Sequence, residues 1–307
     1  MQIVSLNPAF TDILCALHDG AKMCGVTHLC APSAKECNPI VVTTPTATPS
    51  NDFERQKLLA GLTNLGIDWS ALEKARPSVI VTTVLDDNPP DFIAWAEGYL
   101  ANVLSRKVRI VSLDIITLDG LFDAYGKLGT LIGSGALGRD RAQRMKSQIL
   151  DWSRNLYDRV RNKKVVVLSS VSPFAVAGCW IPDVVQLASG RPLHPEHKKL
   201  SVQVPWEEIV AFAPDTILVA LQGKTLQESL RTINVLEALD DWDRLPAVKR
   251  GEVVFSHGQR LYSAGPKFIE GVGVLISAMA GLDSGYITKR DEFYRLRFVE
   301  LHRHRLL

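Results

Sequence analysis

The stretch Trp69-Ser70-Ala71-Leu72-Glu73-Lys74-Ala75-Arg76-Pro77-Ser78-Val79-Ile80-Val81 decides the fold, because its pattern returns as Trp206-Glu207-Glu208-Ile209-Val210-Ala211-Phe212-Ala213-Pro214-Asp215-Thr216-Ile217-Leu218-Val219. Each copy reads as a short helix stopped by proline and followed at once by a buried strand, since proline disfavours helical backbone in the residue before it. Two further blocks match on either side. Ahead of the first copy, Gln2 to Leu6 is a β-branched run leading through Asn7-Pro8 into the helical pattern Thr11 to Leu17. Ahead of the second, Lys164 to Leu168 leads through a loop ending at Gly178 into the helical pattern Pro182 to Ala188. Behind them, Val108 to Leu113 precedes a helix from about Leu118, and Glu252 to Phe255 precedes one from about Pro266 to Ala280. Strands alternating with helices in this way predict an α/β protein of two Rossmann-like lobes with parallel sheets. Ligands are then bound by loops at the carboxyl ends of the strands, in a cleft where the lobes face each other.

Between the halves, Arg139 to Tyr157 contains neither Pro nor Gly and carries apolar residues at helical spacing. About 20 such residues make a strut of roughly 30 Å, stiffer than a Gly/Ser linker, so the cleft should change little on binding. The expected divisions are an N-terminal lobe over 1–133, a connecting helix over 134–161, a C-terminal lobe over 162–283 and a basic tail over 284–307. The tail from Phe293 reads as a solvated amphipathic helix. Ala31 to Phe53, rich in Pro, Thr, Ser and Asn, reads as a long loop.

A chain of 307 residues that is 46% apolar can fill two cores. Lys and Arg number 35 against 33 for Asp and Glu, a formal charge of +2, and no basic face is concentrated anywhere, which excludes nucleic acid as a partner. No apolar run approaches the roughly 20 residues that span a bilayer. The chain opens directly on a strand, with no charged, apolar and small-residue series of an export signal. Five cysteines, an odd number in a large chain, point to reduced thiols. A cytoplasmic protein is expected, although a periplasmic mature form with its leader removed would read the same.

Gly133-Ser134-Gly135-Ala136-Leu137-Gly138 satisfies the G-x-G-x-x-G pattern, but the apolar residues before it recur at three and four. A helix therefore precedes it, whereas a dinucleotide site needs a strand to deliver the backbone to the pyrophosphate. A helix-to-helix corner is predicted. G-x-x-x-x-G-K-[ST], G-x-S-x-G and H-E-x-x-H are all missing. Cys24, His28, Cys30 and Cys37 could supply soft or borderline metal ligands, yet their spacing matches no common zinc module. Three readings stand: a closed metal site, plain core and loop thiols, or His28 or Cys30 touching the metal of a bound complex. For Trp180 two stand, a flat apolar face offered to a macrocycle with its N–H wet, or a core hydrophobe. His257 to Pro266 follows a strand and precedes a helix, and Gln259 and Tyr262 are the ligand candidates there.

Taken in order, Ile3 to Asp12 with Gly25-Val26-Thr27, Ala75 to Val81, Ala177 to Pro182 with Leu187 to Gly190, Ala213 to Ile217, and Ala264-Gly265-Pro266 resemble a known family. It is the vitamin B12-binding and siderophore-binding substrate-binding proteins of ABC importers, whose two lobes are joined by a rigid backbone helix. His28-x-Cys30, Gly178-x-Trp180-x-Pro182 and Gly258-Gln259 are most similar to a cobalamin-binding-protein-like branch that often lacks an export signal. The resemblance implies a non-enzymatic monomer with no intrinsic cofactor that binds cobalamin or a related metal complex. Contacts would come from Pro8, Thr11, His28, Cys30, Trp180, Gln259, Arg260 and Tyr262, with His28 and Cys30 nearest any metal. Importer-type members also carry a surface carboxylate on each lobe that pairs with permease arginines. Glu207 fills the second position and Ser70 stands at the first, which puts docking to an ABC permease in question and brings in an intracellular carrier role. Ferric siderophore or haem binding by the same fold is the alternative, with Arg260 and Lys267 the cations available to an anionic siderophore. An enzyme using the Cys/His loop is the alternative from another class.

Overall fold

The computed structural model describes residues 1–17, 23–30, 38–45, 53–63, 65–84, 88–196, 201–282 and 293–296. The chain divides into two compact units, the first comprising 1–115 and 120–142, the second 116–119 and 143–307.

The first unit contains β1 (Ile3–Ser5), α1 (Pro8–Leu17), β2 (Met23–Val26), β3 (Ile40–Val41), β4 (Thr43–Thr44), α2 (Phe53–Leu62), β5 (Gly66–Ile67), α3 (Trp69–Ala75), β6 (Val79–Thr82), α4 (Phe92–Val103) and β7 (Arg109–Ser112). Helix α5 (Leu118–Ile132) and the start of α6 (Gly135–Asn155) complete it. Five strands form a wholly parallel sheet in the order β3-β2-β1-β6-β7, while β4 and β5 pair separately and antiparallel. The chain winds outward from β1 to β3 and then crosses to β6, so the carboxyl ends of β1 and β6 form the switch point where doubly wound sheets hold ligands.

The second unit contains α7 (Tyr157–Val160), β8 (Lys164–Val171), β9 (Phe174–Ala177), α8 (Trp180–Leu187), β10 (Arg191–Pro192), β11 (Ser201–Gln203), α9 (Trp206–Phe212) and β12 (Thr216–Val219). It continues with α10 (Leu226–Leu230), α11 (Ile233–Glu237), α12 (Pro246–Lys249), β13 (Val253–Ser256), α13 (Gly258–Leu261), α14 (Lys267–Met279) and β14 (Phe293–Leu296). Its sheet runs β11-β9-β8-β12-β13-β14, with β10 also on β8. The three repeated blocks of sequence are its central strands: β8-β12-β13 lie side by side and parallel, as β1-β6-β7 do in the first unit.

Several details differ from the sequence expectation. The second sheet is mixed, because the segment read as a loop before Gly178 turns back as β9, antiparallel to β8. Phe293 and Leu296 lie three residues apart and look helical, yet they form β14, antiparallel to β13, because that edge needs a partner for its N–H and C=O groups. Residues 297–307 of the expected tail lie outside the described residues. Within the expected loop from Ala31, residues 38–45 carry β3 and β4, and the rest of that stretch up to residue 52 is outside the described residues. The connecting helix ends at Asn155; Leu156, at φ −109° and ψ 8°, separates it from α7.

Both repeated helices stop in the same way. Arg76 and Ala213 take left-handed backbone at φ 48° and 50°, and each N–H closes the last turn, on Glu73 and on Ile209 and Val210. Proline follows both, so the helix is ended by the turn as well as by the ring. The G-x-G-x-x-G segment is indeed a corner between α5 and α6, with Gly133 at φ 84°. A Cβ on Gly138 would fall 2.1 Å from the Tyr125 carbonyl oxygen, so this glycine lets two helices touch.

Candidate functional site

In the first unit the switch point is built on Asn7. Its side-chain Oδ1 accepts the Ala9 N–H at 2.9 Å and its carbonyl accepts the Thr11 N–H at 3.1 Å, capping α1. Pro8 takes the first helical position, where the absent N–H is not missed, and lies half-buried. After β2 comes Thr27-His28-Leu29-Cys30. Cys30 is 5% exposed, and its thiol sits between the hydroxyls of Thr27 at 3.2 Å and Thr11 at 3.3 Å. Thr11 is itself fully buried. Both residues, expected to face ligand, thus spend their polar atoms on each other in the core. His28 turns the other way: it is half-buried, its backbone N–H and ring Nδ1 both meet the Thr43 hydroxyl, at 2.9 and 2.8 Å, and Leu29 beside it is exposed. His28 and Cys30 therefore do not combine as a ligand pair, and among the described residues no group of three His, Cys, Asp or Glu could hold a metal ion. Cys37 lies outside the described residues. Cys24 donates to the Ile3 carbonyl at 3.3 Å, and burial pushes its pKa up to about 11, as for a core thiol.

In the second unit, Trp180 opens α8 after Cys179, whose backbone at φ 49° and ψ −138° is a conformation that favours glycine. The Trp180 ring is 3% exposed, meets Phe268 edge-on at 6.1 Å, and donates its N–H to the Leu261 carbonyl at 3.3 Å. The expectation of an open face with a wet N–H is corrected: the indole ties α8, α13 and α14 together, because a polar atom so deep requires a partner. After β12 and β13, the loops meet closely. Gln259 is exposed, donates from Nε2 to the Gly223 carbonyl at 3.1 Å, and its N–H reaches Lys224 O at 3.3 Å. Arg260 lies 3.5 Å from Glu270. The Tyr262 hydroxyl is buried without a hydrogen bond, and desolvation keeps the phenol protonated well above its ordinary pKa.

His257 opens the expected contact loop but is not one of its expected ligand residues. It is the first residue after β13, half-buried, and its Nδ1 accepts the Leu226 N–H at 3.2 Å. Desolvation, with help from Arg260, pushes its pKa down. Its position directly behind a strand was the available signal; what the imidazole touches was not readable from the chain. On α9, Glu207 is exposed in the first turn, and Ser70 occupies the matching exposed place on α3.

The family model described as periplasmic binding protein matches residues 3–259, most of the chain. The chain belongs to the periplasmic binding protein family. This periplasmic binding protein is similar in fold to the periplasmic vitamin B12 binding protein BtuF of Vibrio cholerae, with a TM-score of 0.63, 18% identity, and coverage of 91% of this chain and 96% of that one. A periplasmic haem-binding protein from Pseudomonas aeruginosa aligns with a TM-score of 0.65 and 17% identity over 96% of this chain and 98% of that one. A possible iron-binding protein from Staphylococcus epidermidis gives 0.61 and 18%, over 91% and 98%. No curated protein matches the chain. Members of the family bind small molecules and work with ABC permeases. In this periplasmic binding protein, no described helix is long and apolar enough to cross a membrane.

Proposed function

We propose that this protein is a non-enzymatic carrier of a corrinoid, held by loops at the carboxyl ends of strands. The observation that carries this reading is the position of Pro8 after β1, His28 after β2, and Gln259, Arg260 and Tyr262 in the segment after β13, in a family of solute-binding proteins. Apolar burial supplies the affinity in such sites and a few polar groups supply orientation. Ferric siderophore and haem are the rival ligands of the same fold. Of the two cations expected to serve an anionic siderophore, Arg260 is already beside Glu270, which leaves Lys267 and disfavours that ligand. Glu207 supports docking to a permease through the second unit, and Ser70 argues for weaker docking through the first.

Calorimetry and visible spectroscopy with cyanocobalamin, aquacobalamin, haemin, a ferric siderophore and NAD test the reading. Corrinoid binding with micromolar or tighter affinity is expected. Saturation by haemin or siderophore with no corrinoid binding at high micromolar concentration would refute it.

A further inference from the structure

Two imidazoles stand behind strands, His28 after β2 and His257 after β13, and the partners of each argue for which nitrogen carries hydrogen. The Thr43 hydroxyl has one proton to give. It already accepts the His28 backbone N–H, it is 4% exposed, and beyond that bond its partner is the His28 Nδ1. A buried hydroxyl donates when an acceptor is within reach, so its proton goes to Nδ1 and the ring hydrogen of neutral His28 belongs on Nε2. The doubly protonated ring carries hydrogen on Nε2 as well. At His257 the argument is more direct: Nδ1 accepts a backbone N–H from Leu226, so it has no hydrogen of its own, and the neutral ring holds it on Nε2. Neither ring has a further hydrogen-bond partner among the described residues.

We propose that His28 and His257, each within its own unit, are hydrogen-bond donors through Nε2–H, suited to carboxylate, amide-carbonyl or phosphate oxygens at a ligand's periphery and not to coordinating its metal. A metal ligand needs the opposite tautomer, with the lone pair on Nε2 and hydrogen on Nδ1. That tautomer would leave the Thr43 proton without an acceptor at His28, and would set Nδ1–H against the Leu226 N–H at His257. Each mismatch is worth about tenfold or more in affinity. The inference deepens the proposed carrier function by naming how its ligand is held, and it rests on that reading for the ligand itself.

The test begins on the free, full-length protein labelled with 15N-histidine. Long-range 1H–15N correlation spectra at neutral pH should show a lone-pair-type Nδ1 and a protonated Nε2 for both residues, assigned with His28→Gln and His257→Gln. Thr43→Val should weaken the preference at His28, and Thr43→Ser should retain it. A protonated Nδ1 with a lone-pair Nε2 at either ring overturns the proposal, as does a shift of either Nε2 signal on adding Zn(II) alone. With aquacobalamin and haemin, His28→Gln, which keeps an N–H donor, should hold affinity within about threefold, and His28→Leu should lose about tenfold. An imidazole-coordination band that vanishes in His28→Gln overturns the proposal. Absence of binding by every probe would refute the carrier reading, while the tautomers and the Zn(II) titration still decide the donor assignment.

Discussion

Gly258→Ala and Gly98→Ala make the same chemical change and should act with opposite sign. A Cβ built on Gly258 falls 1.8 Å from the Leu221 carbonyl oxygen and 2.5 Å from its carbon. Ordinary C···O approach is about 3.3 Å, so the two backbones would have to part by roughly 1.5 Å. They are not free to do so, because β12 and β13, which deliver Leu221 and Gly258, are paired in register through Val219 and Phe255. The neighbour is backbone, with no rotamer to yield, and the substitution should cost about 3 kcal/mol, the upper end of overpacking. Gly98 lies in the exposed interior of α4, and a Cβ added there would meet nothing within 4 Å. There alanine should add about 0.5–1 kcal/mol through helix propensity and a more restricted unfolded chain. Urea unfolding followed by tryptophan fluorescence and circular dichroism measures both, with a separate transition allowed for each unit. A Gly258→Ala protein within about 0.5 kcal/mol of wild type and with native spectra would refute the close approach, since overpacking is expected to exceed that margin.

Acidification should lower stability in two windows. Below pH 6.5 the unfolded His257 takes up a proton that the folded ring resists, so stability falls as pH drops, and His257→Gln should flatten that slope in a pH series of urea midpoints. Glu228, held down to about 2 by Thr225 in a capping box and by Lys224, contributes stability that is complete above pH 4.5 and lost towards about 2; Glu228→Gln should remove this second slope. Arg295, largely buried, pairs with Glu252 and donates to Leu282 O at 3.1 Å, so Arg295→Ala should cost about 2–3 kcal/mol and release hydrogen-exchange protection along β13; unchanged exchange there would refute the role of β14. Trp180→Phe should cost about 1–2 kcal/mol through the lost bond to Leu261 and change corrinoid affinity less than threefold. A large loss of binding without destabilisation would return the indole to the ligand.

The two halves were legible because the helix-proline-strand pattern at Ala75 to Val81 and Ala213 to Val219 is local: proline, β-branched runs and 3.6-residue spacing act within a few residues of one another. The G-x-G-x-x-G corner was legible for the same reason. The β9 return and β14 were not, since Phe174 to Ala177 and Phe293 to Leu296 are too short to show a period, and pairing with β8 and β13 is what makes them strands. At the candidate site, sequence placed His28, Gln259, Arg260 and Tyr262 behind strands, but adjacency could not show which way a side chain turns. His28 and Cys30 are two residues apart, and one meets Thr43 while the other enters the core.

The amino-acid sequence alone determined the order of the repeated helices and strands and the three-strand core of each half, because those follow from local backbone preference and apolar spacing. Tertiary structure alone decided that Trp180, Thr11 and Cys30 are packing residues, that Gly258 and Gly138 are contact points between backbones, and that the His28 and His257 rings meet Thr43 and the Leu226 N–H. Each of those outcomes depends on a partner distant in sequence, Leu261, Leu221, Tyr125, Leu226 or Thr43. Only the folded chain brings such a partner within hydrogen-bonding or van der Waals reach.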